Sequence, residues 1–128
     1  MNLVDSSAWL EFFAGGPNAG NFEAPIAATD DLLVPTLALY EVFKRVRMQR
    51  GDGDALQAIA IMEQGRIVDF DRSLALAAAR ISQDRLLPLA DSIMLATAQQ
   101  FGATLWTQDS DFADIEGVRY YPKPQGRG

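Results

Sequence analysis

The sequence contains no cysteine and no histidine. The first absence excludes disulfides, thiolate zinc sites, iron–sulfur clusters and a thiol nucleophile. The second excludes a Ser-His-Asp triad, a histidine zinc site and an imidazole general base. Any reactive groups are therefore carboxylates, hydroxyls, amines or a metal ion held by oxygen. Long apolar runs are missing too, none approaching the ~18–20 residues of a membrane helix. Met1-Asn2-Leu3-Val4-Asp5 meets an acid before any basic residue, so no signal peptide is expected and the cytoplasm is the expected location. Basic residues are absent as far as Phe43, a stretch that holds Asp5, Glu11, Glu23, Asp30, Asp31 and Glu41. Lys44, Arg45, Arg47 and Arg50 then arrive together. The net charge of −6 argues against a simple basic nucleic-acid binder but leaves room for local basic surface.

What is present reads as one globular domain. A length of 128 residues with 48% hydrophobic and 22% charged residues matches one ordinary core. A single domain is expected over residues 1–121, followed by a flexible tail over 122–128. Short apolar runs alternate with helical segments. Strands are expected at Met1–Val4, Leu32–Val34, Ile67–Val68 with Phe70, Thr104–Thr107 and Val118–Tyr121. Helices are expected at Ala8–Ala14 behind a Ser6-Ser7 cap, at Ala19–Ala28 with Pro25 as a weak point, and at Thr36–Arg50 with Leu37, Tyr40, Val42, Phe43 and Val46 inward. Gly51-Asp52-Gly53-Asp54 should break the chain before Ala55–Glu63. Asp71 caps Arg72–Arg85, and Ala90–Phe101 ends at Gly102. This alternation implies a three-layer α/β/α sandwich around a parallel sheet, whose ligands bind beyond the carboxyl ends of the strands.

Several acids fall at that edge. Asp5 follows the first strand and Asp109 the fourth. Glu41 sits early in the helix after the second strand, and Asp91 begins the helix leading into the fourth. Each has an ordinary reading as well: Asp5 and Asp91 as helix caps, Glu41 as a partner of Lys44 or Arg45, Asp109 and Asp111 as turn residues. Together they make a candidate site. Carboxylates packed this closely repel one another unless a cation lies among them. An all-oxygen donor set suits Mg²⁺ or Mn²⁺, and the chemistry that follows is in-line hydrolysis of a phosphodiester.

The wording around these acids resembles a known family. Asp5-Ser6-Ser7 after a strand, Glu41 on a helix, Leu89-Ala-Asp91-Ser-Ile-Met-Leu-Ala-Thr-Ala98 and Leu105-Trp-Thr-Gln-Asp109-Ser-Asp-Phe112 are similar to PIN domains, and most similar to toxins of the VapC type. The likeness runs from Met1 to about Tyr121. It implies a PIN-like fold and an Mg²⁺- or Mn²⁺-dependent endoribonuclease acting on a structured cellular RNA. Asp5, Glu41, Asp91 and Asp109 match the family's acidic quartet. Asp5 and Asp91 are expected as direct ligands, with Glu41 and Asp109 holding a second ion or orienting water. Asp111 is left between water-mediated ligation and a turn role, and Ser7 and Thr107 are expected to orient the carboxylates. The resemblance also implies a homodimer and a small antitoxin lodged in a groove near Trp9, Phe12, Phe13 and the helices after Leu37. Lys44 and Arg45 would meet RNA phosphates.

Other readings fit less well. A catalytically inactive PIN-like binding protein acting through its partner is the main alternative. A receiver-like phosphoacceptor needs a lysine near the pocket after a late strand, for which Lys123 in the tail is a poor candidate. A haloacid-dehalogenase-like phosphatase needs an Asp-x-Asp pair where Asp5-Ser6-Ser7 stands. A flap-type DNA nuclease needs more helical chain than is present.

Overall fold

The computed structural model describes residues 1–124. Its strands are β1 (Asn2–Val4), β2 (Leu32–Pro35), β3 (Arg66–Val68), β4 (Thr104–Thr107) and β5 (Val118–Tyr120). Its helices are α1 (Ser6–Ala14), α2 (Ala19–Ala27), α3 (Thr36–Arg50), α4 (Asp52–Met62), α5 (Arg72–Arg85) and α6 (Leu89–Gln100). All strand pairs are parallel, in the order β3-β2-β1-β4-β5. The chain steps outward from β1 to β3, then returns to lay β4 against the other side of β1. With right-handed crossovers, that reversal puts α1–α4 on one face and α5–α6 on the other. The packing agrees: α1 contacts α2 and α3, α3 contacts α4, and α5 contacts α6. This is the expected three-layer parallel sandwich.

The strands are apolar because both faces of the sheet are covered. Leu3, Val4, Leu33, Val34 and Leu105 are fully buried, and Ala8, Trp9, Val42, Met62, Met94 and Leu95 close over them. Reversal between β1 and β4 creates a switch point, and in open parallel sheets that crevice is where ligands bind. The carboxyl ends of β1 and β4 lead directly into Asp5 and Gln108-Asp109.

Local details depart from the sequence reading in informative ways. Asp5, one residue earlier than the expected Ser6-Ser7 cap, accepts the Ala8 N–H at 3.0 Å and starts α1. The two serines therefore lie in the first helical turn with hydroxyls free for other partners. The break before α4 is confined to Gly51, whose φ of 93° only glycine adopts cheaply. Asp52 and Asp54 then sit in the first turn of α4, where acids favour the helix dipole. Pro25 lies within α2, seven residues in, so its missing N–H removes just one late bond. Phe70 lies outside β3 and is exposed. Tyr40 is not inward but 61% exposed, because Ala38, Val42 and Val46 carry the buried stripe of α3.

The segment after β5 is tied down at its start. The buried Asn18 side chain donates through Nδ2 to the carbonyls of Tyr121 (3.3 Å) and Pro122 (3.1 Å). Tyr121 also stacks on Trp106 and meets Phe22 edge-on. Of the tail expected over 122–128, residues 125–128 lie outside the described residues.

Candidate active site

The site grows from the end of β1. Asp5 is 4% exposed and accepts three hydrogen bonds from the protein. Oδ1 accepts from the Ser7 hydroxyl (2.7 Å) and the Ala8 N–H, and Oδ2 accepts from the Thr107 hydroxyl (2.7 Å). Burial raises the carboxyl pKa, and these donors pull it partly back, leaving it at about 6. Thr107, the last residue of β4, is fully buried and acts in both directions. Its hydroxyl donates to Asp5 and accepts the Asp109 N–H at 2.9 Å. One side chain thus ties together the ends of the two strands at the switch point.

Beyond Thr107 the chain makes a tight turn. Asp109 Oδ1 accepts the Asp111 N–H at 2.9 Å, starting a single 3-10 turn over Ser110–Phe112 that Phe112 anchors in the core. Asp91 approaches from the first turn of α6. The carboxylates of Asp91, Asp109 and Asp111 each offer an oxygen within 4.8 Å of the others. Among the described residues, none of the three forms an ion pair. Partial burial of Asp91 raises its pKa first, and the Asp111 and Asp109 carboxylates add to the rise, so the group reaches about 8. Three acids that close, without a countercharge, are a receptor for a cation. Their all-oxygen donor set fits a hard divalent ion such as Mg²⁺ or Mn²⁺.

A cavity of about 850 Å³ opens in front of this cluster. Asp5, Glu41, Asp91 and Asp109 all line it, and so do Lys44, Arg45, Arg50 and Lys123. Glu41 faces the strand edge from α3 and accepts the Ser6 hydroxyl at 2.8 Å on Oε1. The same cavity runs between α1, α3 and α4, where Leu10, Phe13, Tyr40, Met48 and Ile61 form an apolar wall. A cleft with negative charge at its floor and positive charge on its walls can hold a metal and, around it, a polyanion.

A sequence model of the PIN domain matches residues 3–118. The chain belongs to the PIN domain family. No curated protein matches it by sequence. Solved PIN-fold structures superpose over almost its whole length. A toxin–antitoxin complex from Klebsiella pneumoniae shares 24% identity over 96% of this chain and 100% of that one, with a TM-score of 0.81. VapC20 of Mycobacterium tuberculosis, a sarcin–ricin loop cleaving toxin, shares 19% identity over 91% and 95% at a TM-score of 0.75. VapBC2 from Rickettsia felis, bound to a DNA fragment from its promoter, shares 14% identity over 94% and 97% at 0.72. At these identities the likeness is one of fold.

Within this PIN domain the structure brings the four acids singled out from sequence to one cavity but does not hold them alike. Asp91 and Asp109 share the tight cluster with Asp111, the residue whose role the sequence leaves open. Asp5 lines the cavity while accepting three hydrogen bonds from the protein, and Glu41 stands on the α3 wall. Ser7 and Thr107 do orient Asp5. Trp9 is fully buried and stacked on Phe13, so it belongs to the core, while Phe13 and Leu10 reach the cavity. Four residues have roles that the sequence reading did not give them. Ser6 holds Glu41; Asn18 and Gln108 meet across 90 residues of chain, with Nδ2 donating to Oε1 at 3.2 Å; and Lys123 lines the cavity. A helix-position count could have found Ser6, which the Asp5 cap leaves in the first turn. No local pattern announces the other three.

Proposed function

We propose that this PIN domain is a metal-dependent endoribonuclease toxin of the VapC type, which hydrolyses phosphodiester bonds of a structured RNA and is silenced by a cognate antitoxin. The observation that carries the reading is the uncompensated Asp91–Asp109–Asp111 cluster at the switch point of the sheet. VapC20, with the same fold, is a sarcin–ricin loop cleaving toxin, and the Klebsiella neighbour comes from a toxin–antitoxin complex.

In this reading Asp91, Asp109 and Asp111 hold Mg²⁺ or Mn²⁺, with Asp5 and Glu41 completing the acidic wall. An ion held there would supply charge neutralisation at the phosphate and a more acidic water for attack. The chain's own residues do the rest. Thr107 and Ser7 lock the Asp5 carboxylate, and Thr107 also fixes the backbone of Asp109, so that ligands from two strands keep a set geometry. Ser6 keeps Glu41 turned toward the cavity, positioned to orient water. Lys44 and Arg45 supply the cationic wall for RNA phosphates. The apolar stretch of the cavity, with Tyr40, Met48 and Ile61 all exposed, is the seat for an amphipathic antitoxin segment. A homodimer belongs to the same reading, and Leu86 and Leu89, 87% and 76% exposed, are apolar surface available for it.

The test is incubation of the free protein with a panel of structured RNAs in Mg²⁺, in Mn²⁺ and in EDTA, with product ends mapped. Cutting at few positions, abolished by EDTA, is expected. The new ends should carry a linear phosphate, because in this reading the attacking group is water and not the neighbouring ribose hydroxyl. Cutting that persists in EDTA would refute the metal site. Absence of cutting in all three conditions would favour an inactive PIN domain that acts by binding.

A further inference from the structure

A second cavity of about 350 Å³ adjoins the acidic site on the side away from α3, lined by Ser7, Gln108, Asp109, Ser110, Tyr120 and Lys123. Its volume lies within the range of about 300–1,000 Å³ typical of small-ligand sites. Ser7, Gln108, Asp109 and Lys123 also line the main cavity, so the two spaces meet at Asp109. Lys123 is the sole cation among the residues lining the smaller one, and among the described residues it joins no ion pair.

The lysine does not hang from a loose end. Two residues earlier, Tyr121 is stacked on Trp106, and its N–H donates to the Thr107 carbonyl at 2.9 Å. Asn18 clasps the carbonyls of Tyr121 and Pro122 and joins them to Gln108, whose Nε2 reaches the Ser7 carbonyl at 3.5 Å. The segment that carries Lys123 is therefore built onto the same framework that fixes Asp5 and Asp109. A polynucleotide lying across the acidic cluster extends on both sides of the bond being cut. Lys44 and Arg45 serve one side; the other leads past Asp109 into the smaller cavity.

We propose that this smaller cavity is a subsite for the nucleotide flanking the scissile phosphate, with the Lys123 ammonium on a backbone phosphate oxygen and the Tyr120 ring beside the sugar or base. The inference rests on the nuclease reading for its substrate but is tested by binding, which needs no turnover. Affinity of the full-length protein for a fluorescent RNA hairpin is measured by anisotropy in EDTA across a salt series, for wild type, Lys123→Ala and Lys123→Arg. Cleavage of the same hairpin in Mg²⁺ is followed in parallel. Lys123→Ala should weaken binding about tenfold at low salt and reduce the slope of log affinity against log salt by about 0.7, the contribution of one phosphate contact on a single strand. Lys123→Arg should restore both. Unchanged affinity and slope in Lys123→Ala would overturn the proposal even if the wild type cuts RNA. So would weaker binding with an unchanged slope and no rescue by arginine, the signature of a merely structural role. Loss of slope in Lys123→Ala without cleavage of that hairpin by the wild type would support the Lys123–phosphate contact itself, and the nuclease reading would then stand or fall on the RNA panel.

Discussion

Replacing Asp91 with asparagine is expected to lower RNA cleavage at least about a thousandfold, equivalent to roughly 4 kcal/mol of transition-state stabilisation, while raising the thermal midpoint of the metal-free protein at pH 9. The two effects share one cause. Asp91 is half-buried beside the Asp109 and Asp111 carboxylates, whose charge works against its own ionisation. Asparagine fills the same volume in the first turn of α6 without the charge, so the folded protein sheds a repulsion that the unfolded chain never has. The same change replaces one of the three anionic carboxylates of the cluster with a neutral amide, a far weaker ligand for a hard divalent ion. Added Mn²⁺ should therefore raise the midpoint of the wild type and leave that of Asp91→Asn almost unmoved. Melting curves with and without Mn²⁺, beside single-turnover cleavage, check both halves. A variant that is inactive and also less stable without metal would show that Asp91 serves the fold instead.

The second large effect is in pH. Asp5 is raised to about 6 and Asp91 to about 8, both above the ordinary carboxylate value. Between roughly pH 4 and these values the folded chain holds protons that the unfolded chain has released, so stability of the metal-free protein falls as pH rises. The loss begins near pH 4 and is complete just above 8. A divalent cation competes with the proton on Asp91, so its affinity should move the opposite way, climbing by about one log unit per pH unit between 6 and 8. Cleavage at limiting metal should follow that climb and flatten above 8. Chemical denaturation of the metal-free protein and Mn²⁺ affinity, both measured from pH 5 to 9, give the two curves. Parallel curves would contradict the assignment, because only opposing slopes follow from carboxylates that are protonated when empty and ionised when occupied.

Much of this architecture was legible because short buried strands in a parallel sheet leave few alternatives. Leu32-Leu33-Val34 between two acids and Pro35, and Thr104–Thr107 after Gly102, read as short buried strands, and Asp5 after the first strand and Asp109 after the fourth mark the ligand edge. Exposure on α3 was not legible. Tyr40 is one of several large apolar residues on the helix, and it is the packing of α3 against α4 and β2 that makes the small Ala38 an inward residue. Asp111 was ambiguous for a related reason. Whether Asp109-Ser110-Asp111 presents one carboxylate or two depends on the Asp109 side chain capturing the Asp111 N–H, a bond that a simple loop and a 3-10 turn both allow in sequence. Lys123 was set aside as part of a tail. What places it at the cavity is Asn18, more than 100 residues away along the chain, and contacts of that kind leave no local trace.

That the sheet-edge carboxylates hold a divalent ion is the claim on which the nuclease reading stands. Calorimetric titration of Mn²⁺ into the metal-free wild-type protein at pH 7.5, in two buffers of different ionisation enthalpy, tests it directly. Expected is saturable binding at the Asp91–Asp109–Asp111 cluster with release of a fraction of a proton to about one proton per ion, since Asp91 is largely protonated there when empty. Heats no larger than dilution, or binding that releases no proton, would contradict it.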